Sequence, residues 1–318
     1  MYDYDLFTIG AGSGGVAATR RAGAYGARAA ICEEDRAGGT CVLRGCIPKK
    51  LLIYGAHYAD HFEDAVNYGW TIESAHHDWR TLIDNKNTEL DRLNGIYLSI
   101  LKNNDVDLHE GRGVLSDAHT VEVNGKSITA ENILVAVGGW PSTPDIPGIE
   151  HVISSNEALE LPALPKRMVI VGGGYVAVEF AGIFASLGTQ VTEIVRADNV
   201  LRGFDEDIRA ALGTELGNHG IDLITGGVGD SITKNGAEFN LCLRGGRAYS
   251  EWVLSVYEEQ AAPVLLDAEP DDETDQTFFV LLAHAVSQDS VGEFDPHILR
   301  ERLAAGAADL PEQIARER

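Results

Sequence analysis

Apolar and polar positions follow a repeated pattern along the first 250 residues of the chain. Short apolar runs at 6–9 and 168–171 have the length and composition of buried strands. Each run leads directly into a glycine-rich turn and then into a segment that predicts a helix. A strand, a glycine turn and a helix in this order, present twice, predict an α/β fold with two tandem Rossmann-like dinucleotide-binding domains.

The region between these two units predicts further helices and strands. Residues 54–102 read as helix with interruptions, and residues 106–137 read as β-structure. Within the latter, Asn124-Gly125 is typical of a two-residue type I′ hairpin turn. Residues 133–137 predict a buried strand, and the two prolines in 161–165 indicate a linker before the second unit.

The first glycine turn matches the pattern G-x-G-x-x-G at residues 10–15. Gly10 would make the tight turn, Gly12 would let a pyrophosphate approach the backbone, and Gly15 would allow close helix packing. Glu33 follows about 20 residues later, where a carboxylate binds ribose hydroxyls. The pyrophosphate would rest on the helix N-terminus. The predicted contacts in this turn are Gly10, Gly12, Ser13, Gly14 and Gly15.

The second glycine turn, at residues 172–177, has the related pattern G-x-G-x-x-A. After the next predicted strand, Arg196 stands where an NAD-binding fold places an acid, and Arg202 follows six residues later. Two guanidinium groups suit the 2′-phosphate of NADPH, although either arginine alone would be read as part of a solvated loop. The predicted nucleotide contacts of this turn are Gly172, Gly173, Gly174 and Val176.

Two cysteines, Cys41 and Cys46, stand five positions apart. Pro48 suits the first turn of a helix, so Cys46 would lie at a helix N-terminus, where a thiolate is favoured. The spacing allows the two sulfurs to meet and form a redox-active disulfide. Two inert core thiols remain an alternative. A zinc site would need two more ligands, and Cys32 and Cys242 are isolated in the sequence.

The stretch 38–50 resembles the active-site segment of the flavin-dependent disulfide reductases, and its Arg-Gly-Cys-Ile-Pro-Lys-Lys version is similar to that of the glutathione reductases. The resemblance implies that Cys46 lies against the flavin as a charge-transfer thiolate and that Cys41 is the interchange thiol that attacks the substrate disulfide. Lys49 would lie near the flavin N5 in a salt bridge with Glu179. Tyr175 would cover the flavin and move aside for the nicotinamide.

The same resemblance implies FAD in the first fold, NADPH in the second and glutathione disulfide as the substrate. It adds Thr40 and Gly113 to the FAD-binding residues and gives Ser13, Arg20 and Tyr97 as residues that bind glutathione. Arg20 could equally be a solvated helix arginine, and Tyr97 a half-buried core aromatic. Dihydrolipoamide dehydrogenases, the closest competing members, normally carry an acid at position 196 and Pro-Ser-Lys at 48–50.

The resemblance covers residues 1–250 and then stops. We therefore expect an FAD-binding domain with the redox disulfide at 1–155, an incomplete NADPH-binding domain at 156–254, and an acidic, partly helical tail at 255–318. The family's later Gly-Asp motif and its interface domain, which makes homodimers and supplies a histidine from the partner subunit, have no counterpart here. His297 is predicted to be a histidine at the start of a helix rather than a replacement for the partner-subunit histidine of the family. A nucleotide-binding remnant without turnover, or an interaction protein, is the alternative to an NADPH-dependent glutathione-disulfide reductase.

Charge and composition narrow the classes of partner. The formal net charge of −24 argues against nucleic acids and anionic membranes as partners. No apolar run is long enough to span a bilayer. The acidic start of the chain leads straight into a strand, which argues against a signal or transit peptide and makes a cytoplasmic location the expectation. No metal site is expected.

Overall fold

Two sheets organise the chain, each with a set of parallel strands and a glycine turn after its first strand, and they confirm the predicted α/β fold with Rossmann-like strand order. The structure is a computed structural model that describes residues 1–235, 238–250, 252–255 and 259–261. The predictions for the tail, including His297, lie outside these residues except for the few positions between 255 and 261. The domain boundaries at 155 and 254 stay predictions.

The first sheet has the strand order β3-β2-β1-β6-β5-β4. Strands β3, β2, β1 and β6 are parallel, whereas β6, β5 and β4 form an antiparallel meander. The elements of this half are β1 (Tyr4–Ile9), α1 (Ser13–Ala24), β2 (Ala29–Glu33), α2 (Cys46–Ala65), α3 (Trp79–Lys102), β3 (Val106–Glu110), β4 (Gly113–Asp117), β5 (Thr120–Val123) and β6 (Lys126–Val135).

Strand β6 corrects one prediction. The hairpin is confirmed, since Asn124 and Gly125 have φ of 51° and 75° and Val123 pairs with Lys126. The strand predicted at 133–137 is, however, the second half of the same ten-residue strand, which ends at Val135. Its first residues pair with β5, and from Ala130 onward it pairs with β1. One strand therefore joins the meander to the parallel part of the sheet.

The second sheet repeats the parallel order of the first. Its strands run β10-β9-β8-β14, all parallel, with the antiparallel sheet β11-β12-β13 inserted before the last strand. The remaining elements are β7 (Gly139–Pro141), α4 (Ser155–Ala158), β8 (Arg167–Val171), α5 (Tyr175–Ser186), β9 (Gln190–Val195), α6 (Glu206–Asn218), β10 (Asp222–Thr225), β11 (Gly229–Asn235), β12 (Glu238–Leu243), β13 (Ala248–Ser250), β14 (Trp252–Ser255) and β15 (Glu259–Ala261).

The largest buried cluster joins α2 and α3 of the first half to α5 and β8 of the second half. Leu52, Trp79, Phe180 and Phe184 all belong to it. The predicted linker at 161–165 is packed into this cluster, because Leu161 is buried and its carbonyl accepts a hydrogen bond of 2.7 Å from Trp79 Nε1. None of the helices in the described ranges combines the length and the apolar character that crossing a bilayer requires.

Candidate functional site

The first glycine turn is closed by backbone contacts that leave no room for side chains. Gly10 has φ of +102°, and a Cβ there would lie 2.4 Å from Ala136 O. A Cβ on Gly15 would lie 1.9 Å from Gly10 O, so α1 can approach the turn this closely only because residue 15 has no side chain. Gly12 is the N-cap of α1 and provides no side chain to cap it. The first backbone N–H groups of α1 can therefore bind an anion.

The end of β2 holds a carboxylate beside this turn. Glu33 Oε2 accepts a hydrogen bond of 2.8 Å from Ala11 N, and Oε1 accepts one of 3.1 Å from Asp35 N. The parallel pairing of β1 with β2 places Glu33 at the same edge of the sheet as the turn. This is where the sequence places the group that binds the adenosine ribose, and the glycine cradle beside it fits a dinucleotide.

The cysteine segment crosses directly over the first glycine turn. Gly38 N donates a hydrogen bond of 2.8 Å to Ala11 O. Gly39 has φ of +62°, and a Cβ there would lie 2.5 Å from Gly12 Cα. The chain then makes one π-helical turn, Thr40–Arg44, before α2 begins at Cys46 with Pro48 in its first turn. The expected helix N-terminus at Cys46 is confirmed.

The two cysteines of this segment, Cys41 and Cys46, have neighbouring side chains that are hydrogen-bonded to each other. Cys41 is half-buried and Cys46 is exposed. Burial raises the pKa of Cys41 to about 11, together with its hydrogen bond to Cys46 and its electrostatic interaction with that side chain, and against the opposing charge of Lys49. Because the sulfurs are neighbours, this segment can exchange between dithiol and disulfide.

Lys49 and Glu179 connect the cysteine helix to the second nucleotide fold. Lys49 Nζ lies 2.5 Å from Glu179 Oε1, with the two side chains 23% and 29% exposed. Lys49 lies in the first turn of α2 and Glu179 in α5. The pair expected from the resemblance is present, and it brings a cation to the helix turn that carries Cys46.

The second glycine turn is less tightly closed by backbone than the first, since Ala177 stands at the helix position that Gly15 occupies in the first turn. Gly172 has φ of +154°, and a Cβ on Gly173 would lie 2.5 Å from the side-chain atom Val195 Cγ1. Gly174 is the N-cap of α5, again without a side-chain cap, and the exposed Tyr175 is the first helical residue. Val176 is half-buried against the large core cluster.

The two predicted phosphate-binding arginines stand at the ends of one loop. Arg196 directly follows β9, and Arg202 follows Leu201, whose N–H donates a hydrogen bond of 2.6 Å to Gly173 O. Both arginine side chains are exposed. The loop is thus fixed to the second glycine turn near Arg202.

The predicted glutathione-binding residues differ in their burial and packing. Tyr97 is half-buried and packs against the cluster that contains Val42 and Leu43, the two residues after Cys41. Arg20 is half-buried in α1, and Ser13 is exposed at its start. The packing of Tyr97 agrees with a core aromatic and with a substrate-facing one, so its role stays a prediction.

Gly113 has a packing explanation of its own. It begins β4, and a Cβ there would lie 2.6 Å from Cys32 Sγ. Burial raises the pKa of the Cys32 thiol to about 11, in keeping with an inert core residue. Binding of a cofactor by Gly113 remains a prediction. In the described ranges, no three His, Cys, Asp or Glu side chains are grouped as a metal site needs.

Two charged residues that sequence reasoning missed are buried in the second fold. Glu193 is 0% exposed, and neither of its carboxylate oxygens has a hydrogen-bond partner. Its signal in the sequence was a charge at the centre of the apolar run 191–195. Arg209 is buried in α6, although its spacing from Glu206 is that of an ordinary solvated helix pair. Only its tertiary contacts distinguish Arg209 from a solvated helix arginine.

Comparison with known proteins agrees with this geometry. The profile of the pyridine nucleotide-disulphide oxidoreductase family matches residues 4–255. Glutathione reductase of Nostoc sp. is 51% identical over 223 residues, which are 70% of this chain and 49% of that protein. The chloroplastic/mitochondrial glutathione reductase of Pisum sativum is 49% identical over 262 residues, 79% of this chain and 47% of that protein.

A relative with another name is more distant. Trypanothione reductase of Leishmania donovani is 40% identical over 257 residues, 73% of this chain and 52% of that protein. The chain spans about half the length of these curated relatives. On the profile match and the paired glycine turns, the chain belongs to the pyridine nucleotide-disulphide oxidoreductase family.

Proposed function

We propose that this chain is the FAD- and NADPH-binding part of a disulfide reductase that acts on glutathione disulfide. The observation that carries the proposal is the pair of neighbouring thiols, Cys41 and Cys46, on a segment that crosses the first glycine turn. The glutathione reductases at about 50% identity support the substrate. Residues 1–155 would bind FAD, and residues 156–254 would bind NADPH.

The described residues fit FAD at the first turn. The uncapped N-terminus of α1 would bind the pyrophosphate, and Glu33 would bind the adenosine ribose. Thr40 and Cys46 would lie near the isoalloxazine ring. When bound, FAD would supply the cysteine pair with the two electrons that NADPH delivers.

The two thiols would then reduce the substrate by exchange. Cys41 is protonated at neutral pH because its pKa is about 11. A base must therefore take up its proton before it can attack. Its thiolate attacks one sulfur of glutathione disulfide, which forms a mixed disulfide and releases one glutathione thiolate. Cys46 then loses its own proton, attacks the Cys41 sulfur as a thiolate, releases the second glutathione thiolate and closes the Cys41–Cys46 disulfide. The two released glutathione thiolates take up two protons, which balances the two that Cys41 and Cys46 lost.

An absorbance experiment tests the reductive half. The chain, purified with added FAD, should be yellow, and NADPH under nitrogen should bleach the flavin band. A chain that stays colourless with excess FAD would contradict FAD binding.

Steady-state oxidation of NADPH tests the substrate. We expect it to depend on glutathione disulfide and to disappear in Cys41→Ser, while NADPH still bleaches the flavin of that variant. Flavin reduction without any disulfide-dependent turnover in the wild type would favour a nucleotide-binding protein over a reductase.

We also propose, from the resemblance, that the protein acts in the cytoplasm. Cell fractionation tests this statement, and recovery of the protein with a membrane or organelle fraction would contradict it.

A further inference from the structure

The loop between Arg196 and Arg202 is hydrogen-bonded to the side chain of Arg209 in α6, a residue to which no role has been assigned above. We propose that Arg209 is a positioning residue that fixes this loop and so sets the preference of the second fold for nucleotides with a 2′-phosphate. The inference rests on the proposed binding of NADPH. It adds a residue that determines the specificity of the second fold without contacting the nucleotide.

Arg209 contacts two backbone carbonyls of the loop and two carboxylate side chains. Its Nε donates a hydrogen bond of 2.8 Å to Val200 O, and Nη2 lies 3.5 Å from Asn199 O. Nη2 also lies 3.4 Å from Asp198 Oδ1, and Nη1 pairs with Glu206. One guanidinium therefore contacts three consecutive loop residues and its own helix.

The exposure of these groups decides which contacts matter. The Arg209 side chain is 7% exposed, whereas Asp198 is 94% and Glu206 is 80% exposed. Ion pairs with such exposed carboxylates contribute little. The hydrogen bond to Val200 O is buried, and losing its donor would leave a buried carbonyl without a partner. The main effect of Arg209 is therefore on the course of the loop backbone.

Other contacts complete the support of the loop. Gly226 N donates to Ala197 O at 3.0 Å, which holds the start of the loop. Val200 N donates to Asn199 Oδ1 at 2.8 Å, and a Cβ on Gly213 of α6 would lie 2.9 Å from that same oxygen. Leu201 has φ of +52°, a strained conformation for a leucine. Its hydrogen bond to Gly173 O brings the loop to the glycine turn directly before Arg202.

The strained leucine explains why the loop needs a fixed support. A non-glycine residue in the left-handed region persists only when its surroundings hold it there. Val200, the residue before it, is fully buried and is the one whose carbonyl Arg209 binds. Without the guanidinium, Leu201 would relax and Arg202 would shift relative to Gly173. Binding of the 2′-phosphate would weaken, while the rest of the nucleotide site would stay intact.

Binding of two small nucleotides to the whole chain tests this. Adenosine 2′,5′-bisphosphate carries the 2′-phosphate, and 5′-AMP is the matched ligand without it. Isothermal titration of the wild type should show tighter binding of the bisphosphate. Arg209→Met should lose roughly tenfold in affinity for the bisphosphate, the effect of one charge-assisted hydrogen bond, and less than about twofold for 5′-AMP.

Two further variants sharpen the result. Arg209→Lys keeps the charge but has no planar fork, so we expect it to fold and to lose part of the preference. Arg80→Gln removes a surface arginine that pairs with Asp84 in α3, and both affinities should stay unchanged. Circular dichroism spectra should match across all variants.

The outcomes separate the inference from the proposed function. Wild-type preference that persists in Arg209→Met and Arg209→Lys would overturn the inference alone. Equal losses for both nucleotides would assign Arg209 a purely structural role and also overturn it. A wild type that binds both nucleotides equally would contradict NADPH binding, and the inference with it.

Discussion

At the scale of single residues, Glu193 has the most unusual environment. It lies in β9 between Val191 and Val195, which belong to the large core cluster, and pairs with Ile170 and Leu223 on the neighbouring strands. Burial alone raises its pKa to about 8. A carboxyl group is therefore held neutral in the core of the second fold at neutral pH.

This environment predicts a pH-dependent stability. Between about pH 5 and pH 8, unfolded Glu193 releases its proton and folded Glu193 keeps it, so the free energy of unfolding falls by about 1.4 kcal/mol per pH unit as pH rises. Glu193→Gln removes this titration. Its melting temperature should exceed that of the wild type by an amount that grows from pH 5 to pH 8.

Glu122→Gln, at an exposed position of β5, is the matched control and should follow the wild type at every pH. Parallel curves for Glu193→Gln and the wild type would contradict a neutral, buried carboxyl.

A second prediction at this scale concerns Cys41. Because burial and Cys46 raise its pKa to about 11, alkylation of reduced Cys41 by iodoacetamide should keep rising from pH 7 to pH 9.5 without a plateau. In Cys46→Ala the hydrogen bond and the electrostatic interaction with Cys46 are lost while burial remains. The pKa of Cys41 should then fall, and alkylation at pH 8 should be faster.

Peptide mass spectrometry follows Cys41 separately from Cys46, and N-acetylcysteine gives the rate of an unperturbed thiol. A wild-type plateau below pH 8 would show that Cys41 is not held protonated.

At the scale of elements, the glycine turns set what can bind. In Gly15→Ala the new Cβ would lie 1.9 Å from Gly10 O, so the turn must open and α1 must move away from it. We expect this variant to lose most of its FAD, measured as the ratio of flavin to protein absorbance after purification.

Gly95→Ala is the control, because a Cβ at Gly95 in α3 meets open space. It should keep its FAD and gain about 0.5–1 kcal/mol of stability from helix propensity. Full FAD content in Gly15→Ala would contradict the assignment of the first turn as the pyrophosphate site.

The elements could be predicted from the sequence where residues close together in the chain determine the conformation. The Asn124-Gly125 turn was predictable because its backbone conformation favours these residue types. The length of β6 was not, because the polar residues Glu131 and Asn132 separate its two apolar runs in the sequence. Only the pairing with β5 at one end and β1 at the other makes them one strand. The packed course of 161–165 depends on Trp79, more than 80 positions away.

At the scale of the whole molecule, the same parallel strand order occurs in both halves, and α2 and α5 pack together between them. The Lys49–Glu179 ion pair crosses this contact with both side chains largely covered. A double-mutant cycle of Lys49→Met and Glu179→Gln, measured by urea unfolding, should give a coupling energy of about 1 kcal/mol.

The exposed pair Arg80 and Asp84, one turn apart in α3, is the control cycle and should give about 0.3–0.5 kcal/mol. A coupling between Lys49 and Glu179 no larger than this would mean that the pair does not stabilise the contact between the two halves.

The sequence by itself determined the α/β class, the two glycine turns and the helix start at Cys46. Each depends on residues close together in the chain, whose backbone sterics and hydrogen-bonding needs allow few conformations. Only the tertiary structure decided that Glu193 is buried without a partner and that Arg209 supports the arginine loop. Those properties depend on which distant segments pack around a side chain, and the local sequence does not show whether a charged residue finds a hydrogen-bond partner there.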